Sequence, residues 1–195
     1  MKPIDAASFN KALSILSQTF QENPSVLSVV KKDDKESQRI AALCKYCIRI
    51  SIEKQGAFIS SCEKGVALAY DSRKKISAWK SLLNYIRLGQ YCIGWDRAFT
   101  IIRRDIEIHR RRGNEPHLYF WMLAVEDHTH GVNTIIEMRE YVYGLSKQLN
   151  LPILAETSTL RTLNMYIRYG FHVYDEWDTG MDGVILYFIR RFPEN

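Results

Sequence analysis

The chain has 195 residues, 46% of them hydrophobic and 25% charged, and carries a net charge of +5. A length of this order buries a substantial core in one domain, taken as residues 1–195, without disulfide or metal staples. A pI near 9.0 accommodates anionic ligands but is too mild to demand nucleic acid, and no apolar run approaches the length of a membrane span.

Asp5, Asn10 and Lys11 interrupt the N-terminus where a secretory signal needs an unbroken apolar core. Cys44, Cys47, Cys62 and Cys92 therefore read as reduced thiols, and the expected location is the cytoplasm. The spacing of Phe9, Leu13, Leu16 and Phe20 predicts a helix over 7–21, broken at Asn23-Pro24. A solvated connection over 31–36 leads to a second helix, 35–54, whose apolar stripe is Ile40, Leu43, Cys44, Cys47 and Ile48. Cys44 and Cys47 form a C-x-x-C without the second pair that a metal site needs, and their place on the stripe favours packing. Residues 57–60 and 66–70 read as a hairpin turning at Gly65.

Two helices are expected next, 77–91 and 96–112, with Gly94 between them and Gly113-Asn114 as a stop. The second ends in RRDIEIHRRR, Arg103 to Arg112, the most basic segment of the chain. Interleaved Asp and Glu favour a solvated helix face; contact with a phosphate or another polyanion is the functional alternative. His117 to Val125, HLYFWMLAV, is dense enough in aromatic and branched residues for a buried central strand. The polar turn EDHTHG follows, then a helix over 131–149 on which Ile135, Met138, Val142, Leu145 and Leu149 recur until Asn150 and Pro152 stop it. A strand over 152–158 runs into a short helix that carries Tyr166 and ends at Gly170-Phe171. Two further strands, 172–177 and 184–190, close the sheet around DTGMDG, a candidate acceptor contact.

This order has chemical content. A turn from a buried strand into a helix presents free backbone N–H groups and the positive end of the helix dipole, which together suit a phosphate. If the strands 117–125 and 152–158 splay at that end, a groove opens in which a cofactor chain can lie along exposed backbone.

The same residues resemble the GNAT superfamily of acyl-CoA-dependent N-acyltransferases. PHLYFWMLAVED is similar to that family's fourth strand, commonly P-H-x-Y-L-x-x-L-x-V-D-P. LPILAETSTLRTLNMYIRYGFHV is similar to its L-P-x-x-L-E-T-S, followed by Asn and then Y-x-R-x-G-F-x-V, aligned without a gap. The two blocks fall within roughly the C-terminal 80 residues. The cofactor loop departs from the pattern: His130, Asn133 and Ile135 stand where the family has Gln or Arg, Gly, and Gly or Ala. Asn133 tolerates a left-handed backbone, whereas Ile135 crowds a phosphate.

The resemblance implies an α/β fold with a central mixed sheet flanked by helices, here with an extra helical pair before the central strand. It implies acetyl transfer from acetyl-CoA to a primary amine, expected of a small molecule, by direct attack and without a metal. Tyr166 would be the acid that protonates the leaving thiolate; its plain alternative is a core tyrosine. Leu123 and Val125 would offer backbone to the pantetheine chain, and His130, Gly131, Val132, Asn133, Thr134 and Ile135 would meet the pyrophosphate. Thr162 takes the place of a cofactor-touching Asn. Glu156 is preferred over Glu126 as the base, although either can be a structural carboxylate. His128 and His130 lack a third ligand. Two other uses of such a chain are a CoA-binding or sensing module without turnover and an interaction domain built on the basic helix.

Overall fold

The computed structural model describes residues 1–77, 79, 98–126 and 131–194. Its centre is a seven-stranded sheet in the order β1-β2-β3-β4-β5-β7-β6. The strands are β1 (Lys2–Pro3), β2 (Ala57–Ile59), β3 (Gly65–Asp71), β4 (Leu118–Val125), β5 (Ile153–Thr157), β6 (His172–Asp178) and β7 (Ile185–Arg191). All neighbours are antiparallel except β4 and β5, which gives the mixed sheet expected.

Helices α1 (Phe9–Thr19) and α3 (Glu36–Glu53) cover one face, with the short α2 (Pro24–Leu27) between them. Ile15, Leu16, Ile40, Cys44 and Ile48 from these helices pack on Val66, Leu68 and Met122. The periodic positions of both helices thus face the sheet, and the two cysteines are buried in the core. Burial pushes the Cys44 thiol up to about 11, which suits a packed and unreactive group. Asn23 caps α2 by accepting from the Val26 N–H at 3.1 Å; the sequence break at Asn23-Pro24 thus starts a new turn, with Pro at its first position.

Helix α5 (Gly131–Leu149) and helix α6 (Leu160–Arg168) cover the opposite face. Met138, Val142 and Leu163 pack there on Ala67, Phe120, Ile153 and Ile189. Helix α4 (Ala98–Arg112) lies against the far strands, with Ile108 on Val184, Leu186 and Phe188. Apart from residues 77 and 79, the expected helix 77–91 lies outside the described residues, as do Gly94, Asp96 and Cys92.

Candidate active site

β4 and β5 run side by side only at Leu118 with Ile153 and Tyr119 with Leu154. Beyond these pairs β4 stays on β3 as far as Val125, and β5 stays on β7 as far as Thr157, so a gap opens between them. On β4, Phe120 lies opposite Ala69 and Met122 opposite Leu68, which leaves Trp121 as a bulge in the ladder. The Glu126 N–H donates to the Lys64 carbonyl at 2.8 Å. Ladder alternation then turns the N–H and C=O groups of Leu123 and Val125 away from β3, toward the gap.

Helix α5 begins directly after this end of β4. The amides of its first turn, from Gly131 onward, have no partner within the helix. Val132 and Asn133 are exposed and Ile135 is half-buried. Thr134 is buried, with its Oγ1 at 3.4 Å from the Cys62 Sγ, so its side chain faces the β2–β3 hairpin. What this residue can present to a ligand is its backbone. His128 and His130 lie outside the described residues. The seat of α5 is tight: a Cβ on Gly65 would stand 2.5 Å from Thr134 Cγ2 and from Met138 Sδ.

A cavity of about 940 Å³ continues from the gap toward α2, α3 and α4. Leu123, Ser158, Thr162 and Tyr166 line its end at the strands. Tyr166 packs edge-on against Phe120 and Phe171, with ring centroids 6.3 and 5.0 Å away. Burial, and next to it Tyr143, pushes its phenol well above the ordinary value, so it stays protonated at neutral pH. Thr162 is tied to the start of α6: its N–H donates to Thr159 Oγ1 at 3.3 Å.

Glu156 projects from β5 into the same cavity with both oxygens engaged. Its Oε1 accepts from Arg112 Nε at 2.7 Å and its Oε2 from the Tyr119 hydroxyl at 2.8 Å. The Arg112 side chain is only 9% exposed and lies 3.8 Å from the centre of the Tyr119 ring. Burial works against its charge, but Tyr119 and Glu156 outweigh that, and its pKa is raised. Glu126, the other candidate base, pairs instead with Lys11.

The basic segment is therefore not a uniformly solvated face. Ile101, Arg104, Asp105, Ile108 and Arg112 all line the cavity from α4, whereas Arg110 and Arg111 pair with Glu107 near the surface. Arg111 also reaches Asp175 at 2.8 Å. The recurrence of those cavity positions every three or four residues places two arginines on an apolar stripe; this signal is present in the sequence and marks them as inward-facing. The DTGMDG loop also differs from expectation, since none of its residues lines the cavity. Met181 packs instead with Val29 and Ile101, and Asp182 pairs with Lys32 at 3.0 Å.

By sequence the chain matches no protein-family model and no curated protein. Its structure resembles an HPA2-related acetyltransferase from Corynebacterium glutamicum, with a TM-score of 0.66 at 19% identity over 100% of this chain and 96% of that one. It also resembles arylalkylamine N-acetyltransferase 2 from Aedes aegypti, with a TM-score of 0.64 at 13% identity over 99% of this chain and 98% of that one. A GNAT-family acetyltransferase structure from Desulfovibrio desulfuricans aligns with a TM-score of 0.52 at 12% identity over 100% of this chain and 98% of that one. The chain has the GNAT acetyltransferase fold. Among the described residues no group of His, Cys, Asp and Glu has the arrangement of a metal site, and no helix is long and apolar enough to cross a membrane.

Proposed function

We propose that this protein transfers an acetyl group from acetyl-CoA to a primary amine of a small molecule. The observation that supports this most is the parting of β4 from β5 after Tyr119, with the start of α5 at one end of the gap and Tyr166 on its wall.

The backbone of Leu123 and Val125 would hold the pantetheine chain as an added strand, and one of these N–H groups would polarise the thioester carbonyl. The amides from Gly131 to Ile135 would meet the pyrophosphate, with Thr162 at the margin of the same groove. The amine nitrogen bonds to the thioester carbon as the carbon–sulfur bond breaks, and the Tyr166 hydroxyl gives its proton to the departing sulfur. The raised pKa of Tyr166 is no obstacle, because the same burial raises the basicity of the thiolate.

The amine must be neutral to attack. Lys54 and Arg112 line the cavity, and positive neighbours in a partly buried site lower the pKa of an ammonium. Glu156 would take the departing proton through water with the lone-pair sites that Arg112 and Tyr119 leave open. Incubation with acetyl-CoA and a panel of primary amines tests this reading; free CoA thiol and an acetylated amine should appear together. The alternative, a module that binds CoA without turnover, is motivated by the loop in which Asn133 and Ile135 replace the family's small residues. Binding of acetyl-CoA with no product from any amine would favour it.

A further inference from the structure

The charge of the cavity says something about the acceptor. Among its described lining residues, Lys54, Lys74, Lys75, Arg104 and Arg112 face only two carboxylates, Asp105 and Glu156. Glu156 is already matched to Arg112, and Asp105 favours the charge of Arg104 without outweighing the burial that opposes it. Lys74 and Lys75 are exposed, which leaves Lys54 and Arg104 as the cations within the cavity. Lys54 Nζ stands 4.1 Å over the ring of Tyr70, which meets Tyr119 edge-on at 5.4 Å. Arg104 donates from Nη2 to Ser25 Oγ at 2.7 Å, while its Nε is shielded from solvent without a hydrogen-bond partner.

Excess charge of this kind is costly in a partly buried cavity unless an anion joins it. For both Lys54 and Arg104 burial is the first cause of a lowered pKa, and for Lys54 the nearby Arg112 is the second. The pyrophosphate of CoA is a poor candidate for that anion. Its expected seat is at the α5 end of β4, and Tyr119 lies roughly 20 Å along the strand from Val125. A cationic acceptor such as a polyamine would meet repulsion.

We propose, building on the acetyl-transfer reading, that the acceptor carries an anionic group, a carboxylate in the first instance, which is held by Arg104 and Lys54 while its amine reaches toward Leu123. The walls between these ends are apolar and aromatic, with Phe20, Tyr46, Ile50 and Trp121, so the body of the acceptor is apolar. Tyr119 and Leu123 are separated by roughly 13 Å along β4, which sets the scale of the spacing between amine and anion.

The test is binding rather than turnover. With CoA present, calorimetric titrations would compare ω-amino carboxylates from β-alanine to 8-aminooctanoate with n-alkylamines of matched length. Phosphoethanolamine forms a further arm that separates phosphate from carboxylate. The carboxylates should bind about tenfold more tightly than their alkylamine partners, best at an intermediate length, because a charge-assisted contact is gained. That advantage should shrink to about threefold or less in Arg104→Gln and in Lys54→Met. Tighter phosphoethanolamine binding would support the anionic seat and assign it to phosphate. Alkylamines that bind as well as the carboxylates, an advantage that survives both substitutions, or no binding by any member would each overturn the proposal. The acetyl-transfer reading fails separately, if an acceptor that binds gives no acetylated product.

Discussion

Tyr166 keeps its ring between Phe120 and Phe171, so Tyr166→Phe removes a hydroxyl and little packing. Loss of a general acid should lower kcat by about a hundredfold while acetyl-CoA binding changes little; undiminished turnover with a good acceptor would leave Tyr166 as a core aromatic. Glu156 carries a second prediction, because Arg112 is buried against it. Glu156→Ala should lower unfolding stability by about 3 kcal/mol, read by urea titration, since it strands a buried guanidinium. His117 gives a pH dependence. It is buried at the start of β4, its Nδ1 lies 2.8 Å from the Glu115 carbonyl, and burial lowers its pKa from 6.5. The fold thus favours the neutral ring: the contribution is complete above about pH 6.5 and is lost as pH falls through the lower folded value. The urea midpoint should drop between about pH 7.5 and pH 5.5, and drop less in His117→Asn. At this scale the sequence was partly legible. Tyr166 and Glu156 were marked by their motif, but Arg112 and Tyr119, which hold Glu156, belong to segments 44 and 37 residues away in the chain. Such pairings are set by the sheet and leave no local trace.

Among the elements, those with strong periodicity follow the sequence closely. Helix α5 runs over Gly131–Leu149 as its apolar spacing requires, and α3 over Glu36–Glu53. What escaped was short or set by partners. Strand β1 has two residues and exists because Lys2 and Pro3 pair with Ile59 and Phe58. The bulge at Trp121 is invisible in an almost unbroken apolar run, since no polar residue marks the change of face. The end of helix α4 reads as solvated from its interleaved charges, whereas its inward face follows Ile101, Arg104, Ile108 and Arg112. The contact between β3 and α5 gives a prediction at this scale. Gly65→Ala should cost about 1–3 kcal/mol, because Thr134 is branched and short and must move with the first turn of α5. It should also weaken acetyl-CoA binding; full-affinity binding by this variant would show that the first turn of α5 is not where the pyrophosphate rests.

The whole molecule is two antiparallel blocks, β1 to β4 and β5 to β7, joined by a short parallel contact and clamped by helices on both faces. Helices α5 and α6 cover one face of the sheet, and the cavity runs from Thr162 and Tyr166 of α6 through the gap to α2, α3 and α4. In the proposed reaction such an arrangement would let a thioester enter along one side and an amine from the other, meeting at the backbone of Leu123. Lys54 and Arg104 would then give that meeting point a chemical bias as well as a shape.

The decisive measurement is calorimetric titration with acetyl-CoA, because Leu123, Val125 and the start of α5 can act as proposed only if the cofactor lies in the gap. One molecule should bind per chain with micromolar affinity, despite the loop in which Asn133 and Ile135 stand in place of small residues. No binding at millimolar acetyl-CoA would contradict it, and would mean that the parted strands of this fold serve a different ligand.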